Sequence, residues 1–370
     1  MSIAISGSSI TFPDQTQMST AVGNSFRNRI YNGDMRIDQR NAGASVTNPA
    51  NLYTLDRFAS SQSQASKYSV QQNAGAVTPP SGFTNYLGVT SLSAYTVGSS
   101  ENFAIYQPIE GFNVSDLDWG KATAKTVTLS FWVRSSLTGT FGVSLMNSAQ
   151  NRSYPASYTI NTADTWEYKT ISISGDTSGT WLTTNGVGIY LFIGLCVGSA
   201  SSGASGSWAG ATYFGVTGAT SVVGTNGATF YITGVQLEQG STATEFERRP
   251  IGVELSLCQR YYWRMSSAAI TKLFFQGYMF TTTQLEGLVP FPVPMRSQPT
   301  MSSSPVSQFS LRITGTIITA LFGYATTGEF VPYTQMLLYT TNPAAGFIGY
   351  GQSLMSNSAT ATFIQFNSEL

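Results

Sequence analysis

The stretch Thr126–Arg134, TVTLSFWVR, constrains the fold more than any other. Val127, Leu129, Phe131 and Val133 fall on one face, and Thr128, Ser130, Trp132 and Arg134 on the other. A period of two is the mark of a half-buried strand. Phe141, Val143 and Leu145 repeat it after Leu137-Thr-Gly-Thr140, so the two runs are expected to form a hairpin. Val187, Ile189, Leu191, Ile193 and Leu195 make another one-face series. Near residue 230, Phe230 and Ile232 alternate, and Val235 and Leu237 continue one step out of phase. Gly234 sits at the slip, which predicts a β-bulge.

The rest of the composition agrees with strands. Only 10% of the 370 residues are charged, against roughly 25% in ordinary soluble domains. Solubility must therefore come from Ser, Thr, Asn, Gln and Gly, which suit strand surfaces and turns better than helix surfaces. Eighteen basic residues balance eighteen acidic ones, so there is no electrostatic footprint for nucleic acid. Histidine is absent, which removes histidine bases, histidine metal ligands and histidine-activated nucleophiles. Two cysteines, Cys196 and Cys258, make neither a disulfide framework nor a zinc site. The longest apolar run, Val187 to Val197, is about half the length a membrane span requires. No basic-then-apolar leader opens the chain, so no secretory signal is expected.

The expected organisation is a polar arm over 1–25, a two-sheet β-sandwich over 26–250, a linking helix over 251–265 and a smaller β domain over 266–370. The arm either frays or orders against a partner. The Gly/Ser/Thr-rich stretch 198–227 is either a long ordered loop or a pair of short strands. Ile251, Leu255, Cys258, Tyr262 and Met265 are spaced as one apolar helix stripe, with Pro250 at the first turn. That stripe suits a helix packed on its own chain or a short bundle on a threefold axis. Leu288–Thr300 carries four prolines and should be an edge strand or connector. Strands are expected again at 310–323 and 335–339.

Carboxylate pairs are the remaining catalytic candidates: Asp116 with Asp118, and Glu238 with Glu245. Asp116 and Asp118 are better explained as loop-shaping residues. Glu247, Arg248 and Arg249 read as a salt bridge at the domain junction. No catalytic residue and no cofactor is assigned; a structural calcium ion has no supporting motif. Carbohydrate binding needs only flat aromatic faces and neutral hydrogen-bonding groups, which this composition supplies. Trp119, Trp181 and Trp208 stand beside turn residues and are the expected exposed platforms. Trp132, on the polar face of its strand, belongs to a groove or an interface, and Tyr213 completes the candidates. Burial in a subunit contact is the competing expectation for each.

Four segments together resemble a family of tailed-bacteriophage virion proteins of the tail-fibre type. They are ISGSSITFPDQTQMSTAV; RNRIYNGDMRIDQRNAGASVT followed by YTLDRF; GATFYITGVQLEQGSTATEFERRPIGVELSLCQRYYWR; and FPVPMRSQPT with FNSEL. Gln15 stands where that opening motif usually has glycine. The resemblance implies a jelly-roll domain like a carbohydrate-binding module, a homotrimer, and a place in the phage particle reached from the host cytoplasm. The leading expectation built beside it is a tail-fibre or receptor-binding protein, attached to other virion proteins through the arm and binding a host-surface glycan non-covalently. A capsid decoration (cement) protein is the alternative, and a glycan depolymerase a second. Neither membrane insertion nor nucleic-acid binding is expected.

Overall fold

The computed structural model describes residues 4–6, 9–11, 17–19, 26–47, 52–267, 273–281, 284–305, 308–313, 316–318, 335–341, 351–356 and 362–370. In the expected arm, β1 (Ala4–Ser6), β2 (Ser9–Thr11) and β3 (Gln17–Ser19) form a small antiparallel sheet. The rest of that arm lies outside the described residues.

Two six-stranded antiparallel sheets make the sandwich. The first contains β4 (Val46–Thr47), β7 (Tyr68–Gln72), β8 (Leu87–Ser91), β10 (Val127–Ser135), β13 (Glu167–Ile173) and β17 (Thr229–Gln239), ordered β13-β10-β17-β8-β7-β4. The second contains β5 (Tyr53–Leu55), β6 (Phe58–Gln62), β9 (Asn102–Glu110), β11 (Gly139–Met146), β12 (Ser153–Ile160) and β14 (Val187–Val197), ordered β12-β11-β14-β9-β6-β5. The alternating apolar residues of both sheets meet in one core. Val127, Leu129, Phe131 and Val133 are buried against Phe141, Val143, Leu145, Ile189, Leu191 and Ile193. The protein is therefore an all-β chain built on a jelly-roll-type sandwich.

The hairpin expected of β10 and β11 is not there. β10 pairs with β13 and β17, while β11 pairs with β12 and β14. Residues 136–138 instead carry the chain from one sheet to the other. The reason lies in the apolar faces: Phe131 and Phe141 approach the same Tyr158 ring, at 5.0 and 5.9 Å. Side by side in one sheet, the runs would not oppose each other across the core. The bulge at Gly234 is present, with φ +62° and a slip in the β10–β17 register between Ser130 and Trp132. The stretch 198–227 holds a minimal parallel pair, β15 (Ser202–Gly203) and β16 (Gly215–Val216), beside irregular chain.

Helix α1 (Ile251–Gln259) is shorter than expected, and Pro250 is its N-cap. Tyr262 and Met265 belong to β18 (Tyr262–Ser267), and Ile251 is 52% exposed. The buried residues of α1 are Glu254 and Cys258, so of the stripe only Cys258 is fully covered within the helix and the packed side is shared with a charged residue. Beyond it, β18, β21 (Thr300–Ser303) and β26 (Thr362–Asn367) form one sheet. A second sheet holds β19 (Leu273–Thr281), β20 (Gln284–Pro290), β22 (Phe309–Ile313), β23 (Thr316–Ile318), β24 (Gln335–Thr341) and β25 (Gly351–Ser356). The proline-rich stretch closes β20 and then runs as connector to β21, an edge strand.

Buried charge joins the sandwich to this second unit. Arg57, 1% exposed, pairs with Glu369, which Arg40 also meets at 2.8 Å. The Arg57 guanidinium lies 3.6 Å over the Tyr261 ring. Arg260 and Tyr261 both donate to Glu110, at 2.7 and 2.6 Å. Nearby, burial lifts the Asp56 carboxyl to about 7, although Arg40 and hydrogen bonds from Gln39 pull the other way.

Candidate functional site

The structure divides the five candidate aromatic residues among three places. Trp119, Trp181 and Trp208 come together. Their rings stand edge to face, with centroids 4.7 Å apart for Trp119–Trp181, 5.3 Å for Trp119–Trp208 and 5.4 Å for Trp181–Trp208. Tyr154 closes the group, 5.1 Å from Trp208. Each indole N–H donates to a backbone carbonyl: Trp119 to Lys125, Trp181 to Ser178 and Trp208 to Ser174. Trp119 is only 7% exposed, contrary to the expectation of an open platform. Mutual edge-to-face packing covers part of each ring, leaving Trp181 and Trp208 partly buried, and the three indoles tie the 117–125, 174–182 and 208 loops to one end of the core.

Tyr213 lies apart. Its ring packs on Gly203, where a Cβ would come within 2.4 Å of it. Alongside, Phe214 meets Phe192 at 4.9 Å, and Phe192 is 3% exposed. Packing of residues 202–216 against the second sheet uses most of this aromatic surface.

Trp132 has a different setting. It points outward from β10, directly opposite Tyr168 on the edge strand β13, with ring centroids 5.4 Å apart. Tyr168 is 43% exposed. Strand β13 keeps its alternation of exposed and partly buried residues over most of its length. Glu167 braces its start. Burial raises that carboxyl, but the Lys169 ammonium and the backbone N–H groups of Thr162 and Asn161 outweigh it and hold it at about 2.

The chain then builds a wall. After β17, residues 240–249 turn back over the outer face of the first sheet. Thr244 donates from its backbone and hydroxyl to the buried Glu238 carboxylate, at 2.8 and 2.7 Å. Glu247 accepts the backbone N–H of Asn28 at 3.0 Å and pairs with Arg249 at 3.1 Å. This places Phe246 edge-on to Phe83 at 5.2 Å. Between wall and sheet lies an open groove of about 530 Å³, floored by Trp132, Tyr168 and Gly234, with Phe83, Phe246 and Arg248 along its side. Gly234 is required here, because a Cβ would lie 2.7 Å from the Phe83 ring and 3.3 Å from Trp132, and its φ is +62°. Ser130, Thr244 and Glu245 also line the groove. The arrangement offers flat rings beside neutral and charged hydrogen-bonding groups, the furniture of a shallow binding surface.

Of the carboxylates suggested as catalytic pairs, three hold structure together and Glu245 lines the groove. Asp116 pairs with Arg29 and Asp118 with Lys121. Glu238 anchors Thr244. Of the expected junction charges, Glu247 and Arg249 do pair, and Arg249 reaches Glu254 on α1 as well, whereas Arg248 turns out to the groove. Among the described residues, no three Cys, Asp or Glu side chains assemble as a metal site. Sequence reasoning found Trp132 from its polar-face position but missed Tyr168, Phe83, Phe246 and Arg248. The alternation of Glu167–Ile173 was a usable signal for Tyr168. Nothing local marks Phe83, which comes from a loop some 50 residues from Trp132 by chain numbering.

No family model matches the chain, and no curated protein matches it. Solved structures give low-similarity matches. The enzymatically active domain of tailspike protein 4 from bacteriophage CBA120 is 11% identical, with a TM-score of 0.32, over 58% of this chain and 22% of that one. A family 11 carbohydrate-binding module from Clostridium thermocellum, in complex with a mixed-linked tetrasaccharide, is 14% identical, with a TM-score of 0.27, over 54% of this chain and 96% of that one. TmCBM61, in complex with β-1,4-galactotriose, is 12% identical, with a TM-score of 0.28, over 58% of this chain and 99% of that one.

Proposed function

We propose that this protein is a glycan-binding component of a phage particle, of the tail-fibre or receptor-binding kind, and that the Trp132 groove holds the glycan. The observation that carries the reading is the Trp132–Tyr168 pair, a half-buried indole beside an exposed tyrosine on the outer face of a sheet, flanked by hydrogen-bonding groups. Such a surface suits an extended sugar chain, whose ring faces are apolar and whose rim is hydroxylated. The virion setting is supported by the four sequence segments that resemble tail-fibre proteins. Binding proceeds without turnover on this reading, and no cofactor takes part. A homotrimer would present three grooves, and multivalency can raise weak single-site affinity by roughly 10²–10⁴.

The test is glycan binding by the purified full chain, compared with Trp132→Ala and Tyr168→Ala, together with blocking of phage adsorption. Wild-type binding and blocking, both lost in Trp132→Ala, are expected. Equal binding by the variants removes the groove from the function. Hundreds of copies on the head, with no glycan bound, would favour the capsid-decoration reading, and sugar release from a host polysaccharide the depolymerase reading.

A further inference from the structure

The groove has a chemical bias that an uncharged sugar chain would leave unused. Arg248 lies on its side wall with the guanidinium 4.6 Å over the Phe83 ring and 5.7 Å over Phe246. Gly82 makes room for it: a Cβ there would lie 2.9 Å from Arg248 Nη2. The cation is thus seated by two rings and a side-chain-free turn.

It is seated without a counter-charge. Two other arginines of the same stretches of chain are engaged: Arg27 with Glu238, and Arg249 with Glu247 and Glu254. Among the described residues, Arg248 meets no carboxylate and donates no hydrogen bond. Glu245 lines the same groove, yet the two form no ion pair, and the backbone carbonyl of Glu245 is the atom that accepts from Arg27. Arg248 is exposed, so its guanidinium beside two rings is open to a ligand entering the groove. Its planar fork matches a carboxylate through two parallel hydrogen bonds.

We propose that the glycan held in the Trp132 groove is acidic, a carboxylate-bearing polysaccharide whose uronate group pairs with Arg248 while neighbouring rings lie on Trp132 and Tyr168. This inference rests on the groove being the glycan site. Phe83 and Phe246 keep the guanidinium in place before the ligand arrives, which lowers the ordering cost of the pair. Glu245 is left to accept hydrogen bonds from sugar hydroxyls, at the expense of some repulsion toward the ligand.

The experiment uses the full chain and matched polymer pairs: polygalacturonate, alginate and hyaluronate, each beside its carboxyl-reduced neutral form, by affinity electrophoresis and calorimetry. At least one acidic polymer should bind about tenfold more tightly than its reduced form, the size of one charge-assisted contact. Arg248→Ala should weaken binding of the acidic form about tenfold more than binding of its neutral form, closing the gap between the two. Glu245→Gln should strengthen acidic binding two- to threefold, and raised salt should narrow the gap. If wild type binds acidic and reduced polymers equally, or Arg248→Ala keeps the preference, the acidic-ligand inference is overturned while the groove reading stands. A preference for sulfated over carboxylated polymers overturns it as well. If no polysaccharide binds in any form, the groove reading fails and this inference falls with it.

Discussion

Trp119 and Trp132 stand on the same sandwich and do opposite work. Trp119 is enclosed by two other indoles, donates its N–H inward and holds loops together. Trp132 meets one tyrosine and faces an open groove. The difference comes from where each side chain leaves the fold. Trp119 follows a short turn at one end of the core, where three loops converge and must cover their own apolar surface. Trp132 leaves the middle of a strand, where neighbours are fixed by register and the outer face is covered only where another segment crosses it. Tryptophan serves as mortar in the first place and as contact surface in the second.

The sharpest way to break this comparison is to truncate both. Trp119→Ala should lose about 3–5 kcal/mol of unfolding free energy, the usual result of removing a buried aromatic ring. Trp132→Ala should lose under about 1 kcal/mol and yet abolish glycan binding. Denaturant unfolding beside calorimetry reads both; comparable stability losses would erase the distinction.

A second test separates stability from binding through pH. Asp56 ionises with a folded value near 7, raised from 3.8 by burial. Its contribution to stability is complete below the unfolded value and is lost as pH rises through the folded one. Burial also raises Glu254, with the same sign. The carboxyls held low, Glu101, Asp118 and Glu167, stay charged from pH 5 to 8 and add no slope there. Unfolding free energy should therefore fall as pH rises from about 4 to 7 and level off above, by about 3 kcal/mol between pH 5 and 8 for Asp56. Asp56→Asn should flatten much of that slope and Trp132→Ala should not. A slope unchanged in Asp56→Asn would place its origin elsewhere.

A smaller effect than at Trp119 or Asp56 is expected at Gly234. Gly234→Ala should cost about 1–2 kcal/mol, from a positive φ and the contact with Phe83. Phe83 must move to relieve it, so Arg248 loses its seat and binding should weaken beyond what the stability change explains. Binding unaffected by this substitution would mean that the groove wall is not preorganised.

Much of the sandwich was legible in the chain. Val127, Leu129, Phe131 and Val133 were placed in the core by alternation alone, and Gly234 was identified as a bulge by the phase slip that follows it. The partners of those strands were not. β10 and β11 look like a hairpin locally, because a short polar connection with glycine fits one equally well. The choice between pairing in one sheet and facing across two depends on the whole apolar surface to be buried. The α1 stripe misled for a related reason: spacing shows that residues share a face but not which face is covered. Here the packed side holds Cys258 from the stripe together with buried charge, Glu254 bound to Arg249, while Ile251 is left exposed.

By itself the sequence determined the strand periodicity, the all-β class, the scarcity of charge and the absence of histidine chemistry. These are properties of composition and of neighbours along the chain. Only the tertiary structure decided that Trp119 is enclosed, which arginine among the described residues lacks a partner, and that Phe83, Trp132, Tyr168, Phe246 and Arg248 share a surface. Those residues come from four separate segments. Exposure and ion pairing depend on what folding brings alongside each group, which spacing along the chain does not encode.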